Sequence, residues 1–383
     1  MDKFKDIRPY HDNEINTVIR RLLADPELVG SIAKFLHPRL SRAFPKLMTS
    51  ETKRKLRKQF LDVNDVRTMQ DGIARYMEKM IHDTTTRLTN SGMENLKEGK
   101  NYLFISNHRD IAMDPAFVNY MLYHAGFETL KIAIGDNLLK KPFLTDLMRL
   151  NKSFIVQRSL KGRELLQSLK LLSEYIHQCV ATGDSVWIAQ REGRAKDGID
   201  KTDPALLKML AMSQRDLPLR ESLSDLNIVP VSISYEYDAC DVLKAEELHE
   251  VETKGGFTKT DFSDIDSIVA GMVGFKGRVH VAFGNELEID TDQPEGIASL
   301  IDQQILENYM LSDVNYLAME QLAKDGLVTH ESFSNAIGKR EMSDKNRDKF
   351  SERLKMVHPK LLRHYLFGYA NPLHSKLAAG YDD

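Results

Sequence analysis

The chain has 383 residues, 28% of them charged, and a net charge of −3. That length holds a full α/β core with a helical appendage, and that balance gives no global nucleic-acid signature. Two cysteines, Cys179 and Cys240, offer no disulfide framework and suit a reducing compartment. No apolar run approaches the roughly 20 residues that span a bilayer, and the Met1-Asp2-Lys3 start has no signal-peptide core. A membrane role is therefore expected to be peripheral.

Residues 1–90 read as helical throughout, with apolar residues at three-and-four spacing and no strand. Within 31–60, nine Lys or Arg (Lys34, Arg39, Arg42, Lys46, Lys53, Arg54, Lys55, Arg57, Lys58) face one acid, Glu51. Ile32, Phe35, Leu36, Leu40, Phe44 and Leu47 fall among them at roughly helical spacing, and Pro38 and Pro45 break any single long helix. The plain reading is a solvated surface. The sharper one is a basic amphipathic surface for anionic lipid headgroups. Nucleic acid fits less well, because no aromatic stacking pattern accompanies the charge.

From about residue 95 short β-rich runs appear at 102–106, 130–134, 153–156, 185–189, 228–235 and 278–283. Helical stretches lie between them at 116–124, 137–150, 160–180, 204–212 and 265–272. Alternation of this kind predicts an α/β fold, a largely parallel mixed sheet flanked by helices, with helical extensions at both ends. The expected division is a helical region 1–90, an α/β domain 91–290 and a helical region 291–383. The stretch 339–364 is basic again, nine Lys or Arg against four acids, and leads into an apolar patch at Leu361, Leu362, Tyr365, Leu366 and Phe367.

Chemistry concentrates in Asn107-His108-Arg109-Asp110-Ile111-Ala112-Met113-Asp114-Pro115, directly after the first β-run. Asp114-Pro115 reads as the N-cap and first position of a helix. His108 then lies in a loop between a strand end and a helix start, where open α/β sheets place ligands. A carboxylate on one imidazole nitrogen fixes the tautomer that leaves the other free to accept a proton. His108 with Asp114, or with Asp110, is thus a candidate general base. The plain alternatives are an exposed loop histidine and a simple helix cap. A metal site on His108, Asp110 and Asp114 is disfavoured because the other histidines are scattered. The His-Arg-Asp string is not a kinase catalytic loop, since Pro115 stands where that loop needs Asn and Asp261-Phe262-Ser263 lacks the required glycine.

Three more pieces of chemistry lie further along the chain. Ser153-Phe154-Ile155-Val156-Gln157-Arg158-Ser159-Leu160-Lys161-Gly162-Arg163 is a strand emptying into a basic cluster suited to phosphate. Val186-Trp187-Ile188-Ala189 leads into Gln190-Arg191-Glu192-Gly193-Arg194-Ala195-Lys196-Asp197-Gly198, whose glycines permit a tight turn able to aim backbone N–H groups at an anion. In Ile228-Val229-Pro230-Val231-Ser232-Ile233-Ser234-Tyr235 the proline marks an edge or a special bend.

Each piece is weak alone. Their order and spacing resemble the four motif blocks of the glycerolipid acyltransferases, which include glycerol-3-phosphate and 1-acylglycerol-3-phosphate acyltransferases. Phe154-Ile155-Val156-Gln157-Arg158 through Lys161-Gly162 resembles the second block of the glycerol-3-phosphate enzymes. Ala189 to Gly198 resembles the third, and Ile233-Ser234-Tyr235-Glu236-Tyr237 is similar to the residues just after the fourth; the likeness covers residues 95–290. Two departures stand out. Five residues separate His108 from Asp114 where the family has four, and Asp114 is preferred over Asp110 because Pro115-Ala116-Phe117 matches the family's helix start. Arg194 comes directly after Gly193 where the family places one residue between, so Arg194 or Lys196 carries the phosphate-binding charge.

The resemblance implies O-acyl transfer from an acyl thioester, on coenzyme A or acyl carrier protein, to a glycerol-phosphate or lysophospholipid hydroxyl in phospholipid biosynthesis. The first expected acceptor is 1-acylglycerol-3-phosphate; glycerol-3-phosphate or an amino-acid-derived lipid is the alternative, and a non-catalytic lipid-binding module is the rival. It assigns His108 as base, Asp114 as its partner, and Arg158, Lys161, Glu192, Gly193 and Arg194 to the acceptor. No metal or redox cofactor is implied. Expected partners are the thioester donor, the phosphorylated acceptor and an anionic membrane surface, with no nucleic acid, and the expected location is cytoplasmic, on the inner face of the cell membrane.

Overall fold

The structure, a computed structural model, describes residues 2–260, 263–329 and 342–381, without the side chains of Phe35 and Pro38. Asp261, Phe262, Lys339 and Arg340, which enter the sequence reading, lie outside the described residues.

The strands are β1 (Thr85–Ser91), β2 (Leu103–Ser106), β3 (Lys131–Gly135), β4 (Ser153–Val156), β5 (Val186–Ala189), β6 (Ile228–Tyr235) and β7 (Gly277–Phe283). The helices before residue 130 are α1 (Asp12–Ala24), α2 (Pro26–Leu36), α3 (Pro38–Ala43), α4 (Pro45–Gln59), α5 (Val66–Thr84) and α6 (Met113–His124). Then come α7 (Pro142–Leu150), α8 (Gly162–Thr182), α9 (Pro204–Leu210), α10 (Leu219–Ser224), α11 (Asp241–Lys254) and α12 (Ser263–Val273). The last described helices are α13 (Pro294–Glu307), α14 (Asp313–Lys324), α15 (Asp344–Met356) and α16 (Leu362–Ala378).

The chain divides into two compact units, Met1–Glu78 with Thr129–Tyr175, and Lys79–Glu128 with Ile176–Asp383. This is not the expected division into three consecutive segments, because residues 129–175 share a core with the start of the chain.

In the first unit Ile15, Val18, Ile19, Leu22 and Leu28 pack with Val63, Met69, Phe143 and Leu150. The buried Asp146 of α7 accepts bonds from Arg21 at 2.6 and 2.7 Å and from the Tyr10 hydroxyl at 2.7 Å, fixing α7 to the N-terminal helices. β3 and β4 pair in parallel, Ile132 opposite Ser153. The prolines divide the basic stretch as expected, Pro38 opening α3 and Pro45 opening α4. Leu36, Leu40, Phe44 and Leu47 are each more than half exposed there.

In the second unit the strand order is β1-β7-β6-β2-β5. β1 and β7, β6 and β2, and β2 and β5 run parallel, and only β6 and β7 are antiparallel among the described pairings. The fold is thus the predicted largely parallel mixed sheet with helical extensions. β1 corrects the reading of residues 1–90 as helix. Its sequence, Thr-Thr-Arg-Leu-Thr-Asn-Ser, shows no apolar alternation, and its partner β7 lies far along the chain. The β-branched run Thr84-Thr85-Thr86 was the local sign that the helix stops.

Of the two readings of Pro230, an edge or a special bend, the edge is excluded, because β6 is interior. Ile105 stands opposite Pro230 on the β2 side. On the other side the ladder to β7 begins at Val231, and Pro230 only accepts the Gly284 N–H, at 2.8 Å. A residue's N–H and C=O point to the same neighbour, so the missing donor falls where the ladder has ended. The Leu361–Phe367 patch is interior: Leu361, Tyr365 and Leu366 are buried with Val314, Leu317 and Leu322 of α14, and Leu362 and Phe367 pack against that core. The patch is apolar because helices meet there.

Candidate active site

All four residues of β2 are buried, and the chain leaves the sheet at Ser106 into a turn secured from several sides. Asn107 takes the place of a strand residue. Its Oδ1 accepts the Ile233 N–H at 2.8 Å and its Nδ2 donates to the Ile233 carbonyl at 3.0 Å. Trp187 Nε1 donates to Ser106 Oγ at 3.0 Å, and the Trp187 ring meets the His108 ring edge-on at 5.9 Å.

His108 Nδ1 lies 2.9 Å from Asp114 Oδ2. Asp114 has no exposed surface. The same Oδ2 accepts the backbone N–H groups of Arg109 at 2.6 Å and Asp110 at 2.9 Å, and Oδ1 accepts the Tyr235 hydroxyl at 2.7 Å. With its acceptors occupied by donors, a carboxylate can stay ionised in a buried place. Nδ1 is then the ring nitrogen bearing the proton, which leaves Nε2 as a base.

Asp114 is not the N-cap expected from the sequence. α6 starts two residues earlier than that reading, at Met113, with Ala112 as its N-cap. Asp110 does the capping: its Oδ1 accepts the N–H groups of Ala112 at 3.0 Å and Met113 at 2.9 Å. Asp114 is the neighbour of His108 that the sequence reading preferred, and only the capping role passes from Asp114 to Asp110. Burial, with the Asp114 charge beside it, pushes the Asp110 carboxyl above its ordinary range. Gly271 of α12 permits this packing, since a Cβ there would come within 2.2 Å of Asp110 Oδ2.

Around Asp110 stand two other buried titratable groups. Burial pushes the Cys240 thiol up to about 12, and its sulfur donates toward the Ser267 carbonyl at 3.3 Å. Burial lowers the Lys276 amine to about 8; Nζ donates to the Gly274 carbonyl at 2.8 Å and Thr84 Oγ1 at 3.0 Å.

The Glu-Gly-Arg turn closes against the histidine loop. Ala195 N–H donates to the His108 carbonyl at 2.8 Å, and buried Arg109 donates to the Gly198 carbonyl at 3.1 Å and to Asp200 at 2.5 Å, with Tyr309 under its guanidinium. Burial opposes the Arg109 charge, but Asp200 more than compensates and holds it firmly protonated. Gly193 takes φ +76° in this turn, and Glu192 and Gly193 are exposed. Arg194 Nη2 donates to Ser267 Oγ at 3.3 Å, whereas its buried Nη1 has no hydrogen-bond partner among the described residues. Lys196, the other candidate cation, is paired with Glu247 at 2.6 Å.

The second unit therefore gathers His108, Asp114, Glu192, Gly193 and Arg194. Arg158 and Lys161 belong to the first unit, exposed at the turn after β4, where Asp136 accepts the Arg158 N–H at 3.1 Å and the Ser159 N–H at 3.2 Å. The sequence gives no sign of a role for Tyr235, Asp200, Asn107 or Arg109, beyond the adjacency of the last two to His108.

A strand-loop-helix bearing a half-buried, carboxylate-bound histidine marks an α/β domain whose site is able to do acid–base chemistry. A family model described as acyltransferase matches residues 87–234. Glycerol-3-phosphate acyltransferase of Pseudomonas fluorescens is 28% identical over 207 residues, 53% of this chain and 24% of that protein. The protein of the same description from Aeromonas hydrophila is 28% identical over 226 residues, 58% of this chain and 26% of its own. The chain spans about a quarter of the length of these relatives. A crystal structure of a 1-acyl-sn-glycerophosphate acyltransferase from Thermotoga maritima aligns with 67% of this chain and 88% of its own, at 12% identity and a TM-score of 0.37. Residues 87–234 thus resemble an acyltransferase domain.

Proposed function

We propose that the chain transfers an acyl group from an acyl thioester to the hydroxyl of a phosphorylated glycerol. The observation that carries this reading is the His108–Asp114 pair, with its carboxylate buried and bonded on both oxygens. His108 Nε2 takes the hydroxyl proton as the oxygen attacks the thioester carbon. Asp114 holds the ring and stabilises the imidazolium, and the proton then leaves with the thiolate. Such base catalysis contributes about 10²–10⁴-fold.

Of the two cations at the third block, Arg194 suits the acceptor phosphate better, since its Nη1 is unbonded while Lys196 is engaged by Glu247. Glu192 and Gly193, in the same unit, complete the acceptor site in this reading. The names of the relatives favour glycerol-3-phosphate as acceptor over the 1-acylglycerol-3-phosphate first expected. No helix among the described residues is long and apolar enough to cross a membrane. The exposed Leu36, Leu40, Phe44 and Leu47, set among basic side chains, support attachment to an anionic bilayer surface.

The test offers the purified chain glycerol-3-phosphate and 1-acylglycerol-3-phosphate with acyl-CoA or acyl carrier protein, identifying products by mass. Product from glycerol-3-phosphate supports the reading in full, and product from the lysophospholipid alone moves the acceptor. Absence of acyl transfer with every pair leaves the lipid-binding module as the better account.

A further inference from the structure

In the second unit α11 packs against α16. Their contact gathers three side chains that acyl transfer does not use: His249 and Glu252 from α11, and His364 from α16. Residues three apart share a helix face, so His249 and Glu252 project together. The three can each offer a ligand atom, and these atoms all lie within 4.8 Å of one another. His364 Nε2 is 2.9 Å from Glu252 Oε2, and the two imidazole rings are 6.1 Å apart between centroids. Arg363 Nη1 donates to the other carboxylate oxygen at 2.5 Å, which fixes the Glu252 head and turns one oxygen toward the histidines.

We propose that His249, Glu252 and His364 form a site for a divalent transition-metal ion of the zinc type, tying α16 to α11. Two imidazoles and one carboxylate are a common zinc donor set, and they suit cobalt and nickel as well. Bonds of about 2.1 Å place the donors of a tetrahedral ion about 3.4 Å apart. The metal takes the place of the His364–Glu252 contact, and Arg363 becomes the outer partner that orients the carboxylate. The fourth position is left to water. Because α11 and α16 lie outside the matched acyltransferase segment, the ion acts as a clasp on the C-terminal helices.

The experiment uses the full chain without an affinity tag, freed of metal by chelation and titrated with Co²⁺. Saturable visible d–d bands of a single site per chain, abolished by added Zn²⁺, are expected. His249→Ala and His364→Ala should each weaken Co²⁺ binding by at least about tenfold. Zn²⁺ should raise the melting temperature of the parent chain and leave that of the His249→Ala/His364→Ala chain unmoved. Both positions reach solvent, and circular dichroism checks that the variants fold. Co²⁺ binding that persists in the double variant, or no saturable binding in the parent chain, overturns the proposal.

Discussion

The Tyr235 hydroxyl donates to Asp114 Oδ1 at 2.7 Å across 121 residues of sequence, so the carboxylate on His108 is fixed from β6 as well as from its own loop. Tyr235→Phe removes that donor and leaves a fully buried carboxylate oxygen unsatisfied. The expected cost is about 1–3 kcal/mol of stability, with a smaller loss of turnover than removal of the imidazole causes. Thermal unfolding and kcat measured side by side check both. Unchanged values for the two would mean that Tyr235 only fills space.

His108→Ala should lower acyl transfer by two or more orders of magnitude, about what a general base contributes. The fold should survive, because the ring lies at the rim of the site and its backbone bonds persist. A variant retaining more than about a tenth of the parent rate sinks the base assignment.

The two aspartates separate cleanly. Asp114→Asn keeps an oxygen for the Arg109 and Asp110 N–H groups, and its amide can donate to the Tyr235 oxygen, so folding persists. The charge facing the imidazolium is gone, and turnover should fall at least about a hundredfold. Asp110→Asn keeps the oxygen that caps α6, and burial already pushes the Asp110 carboxyl above its ordinary range. Its activity should stay close to that of the parent. The reverse pattern in steady-state assays would transfer the histidine partner to Asp110.

Much of this was legible from the sequence, and the failures share a cause. β4 and β6 begin and end where the sequence placed them, because both are apolar runs with clear breaks on either side. β1 was invisible as a strand since its polar residues become strand only by pairing with β7. Spacing put a carboxylate beside His108 but could not tell a helix cap from an imidazole partner. Backbone N–H groups decide that, converging on Asp114 Oδ2 and Asp110 Oδ1. Tyr235 was beyond reach, since nothing local to β6 announces a bond to a loop on another strand. Leu361–Phe367 could not be assigned from sequence for a related reason: an apolar helix face looks the same whether lipid or another helix covers it.

Lys276 predicts a pH dependence of stability. Its folded value of about 8 lies below the ordinary 10.5, so between these pH values the unfolded chain holds more of this proton than the folded one. Its contribution is therefore complete above 10.5 and lost as pH falls through 8. Lys276→Met abolishes that dependence. The stability of the parent relative to the variant should rise by at most about 3 kcal/mol between pH 7 and 10.5. A constant difference across that range, read from denaturant midpoints, would show that the buried amine does not titrate there.

At the bilayer, headgroup attraction of about 1 kcal/mol per well-placed Lys or Arg predicts sedimentation with anionic liposomes that weakens as salt rises. Reversing Lys53, Arg54, Arg57 and Lys58 to Glu should reduce it while turnover of a soluble short-chain substrate persists. Salt-resistant binding would shift the weight to Leu36, Leu40, Phe44 and Leu47. Equal binding to neutral liposomes would remove the electrostatic account.

The first compact unit is assembled from two stretches of chain with residues 79–128 threaded between them. During synthesis Ile15, Val18 and Leu22 emerge long before Phe143 and Leu150, their partners in one core. At translation rates of about 5–20 residues per second the early helices wait several seconds with their apolar faces uncovered. A fragment that starts at residue 79 inherits the mirror-image fault, carrying 129–175 with nothing to close over it. Expression of the catalytic part alone should for that reason keep α1 and the helices after it, and deletions inside 1–78 should surface as aggregation before they surface as lost chemistry.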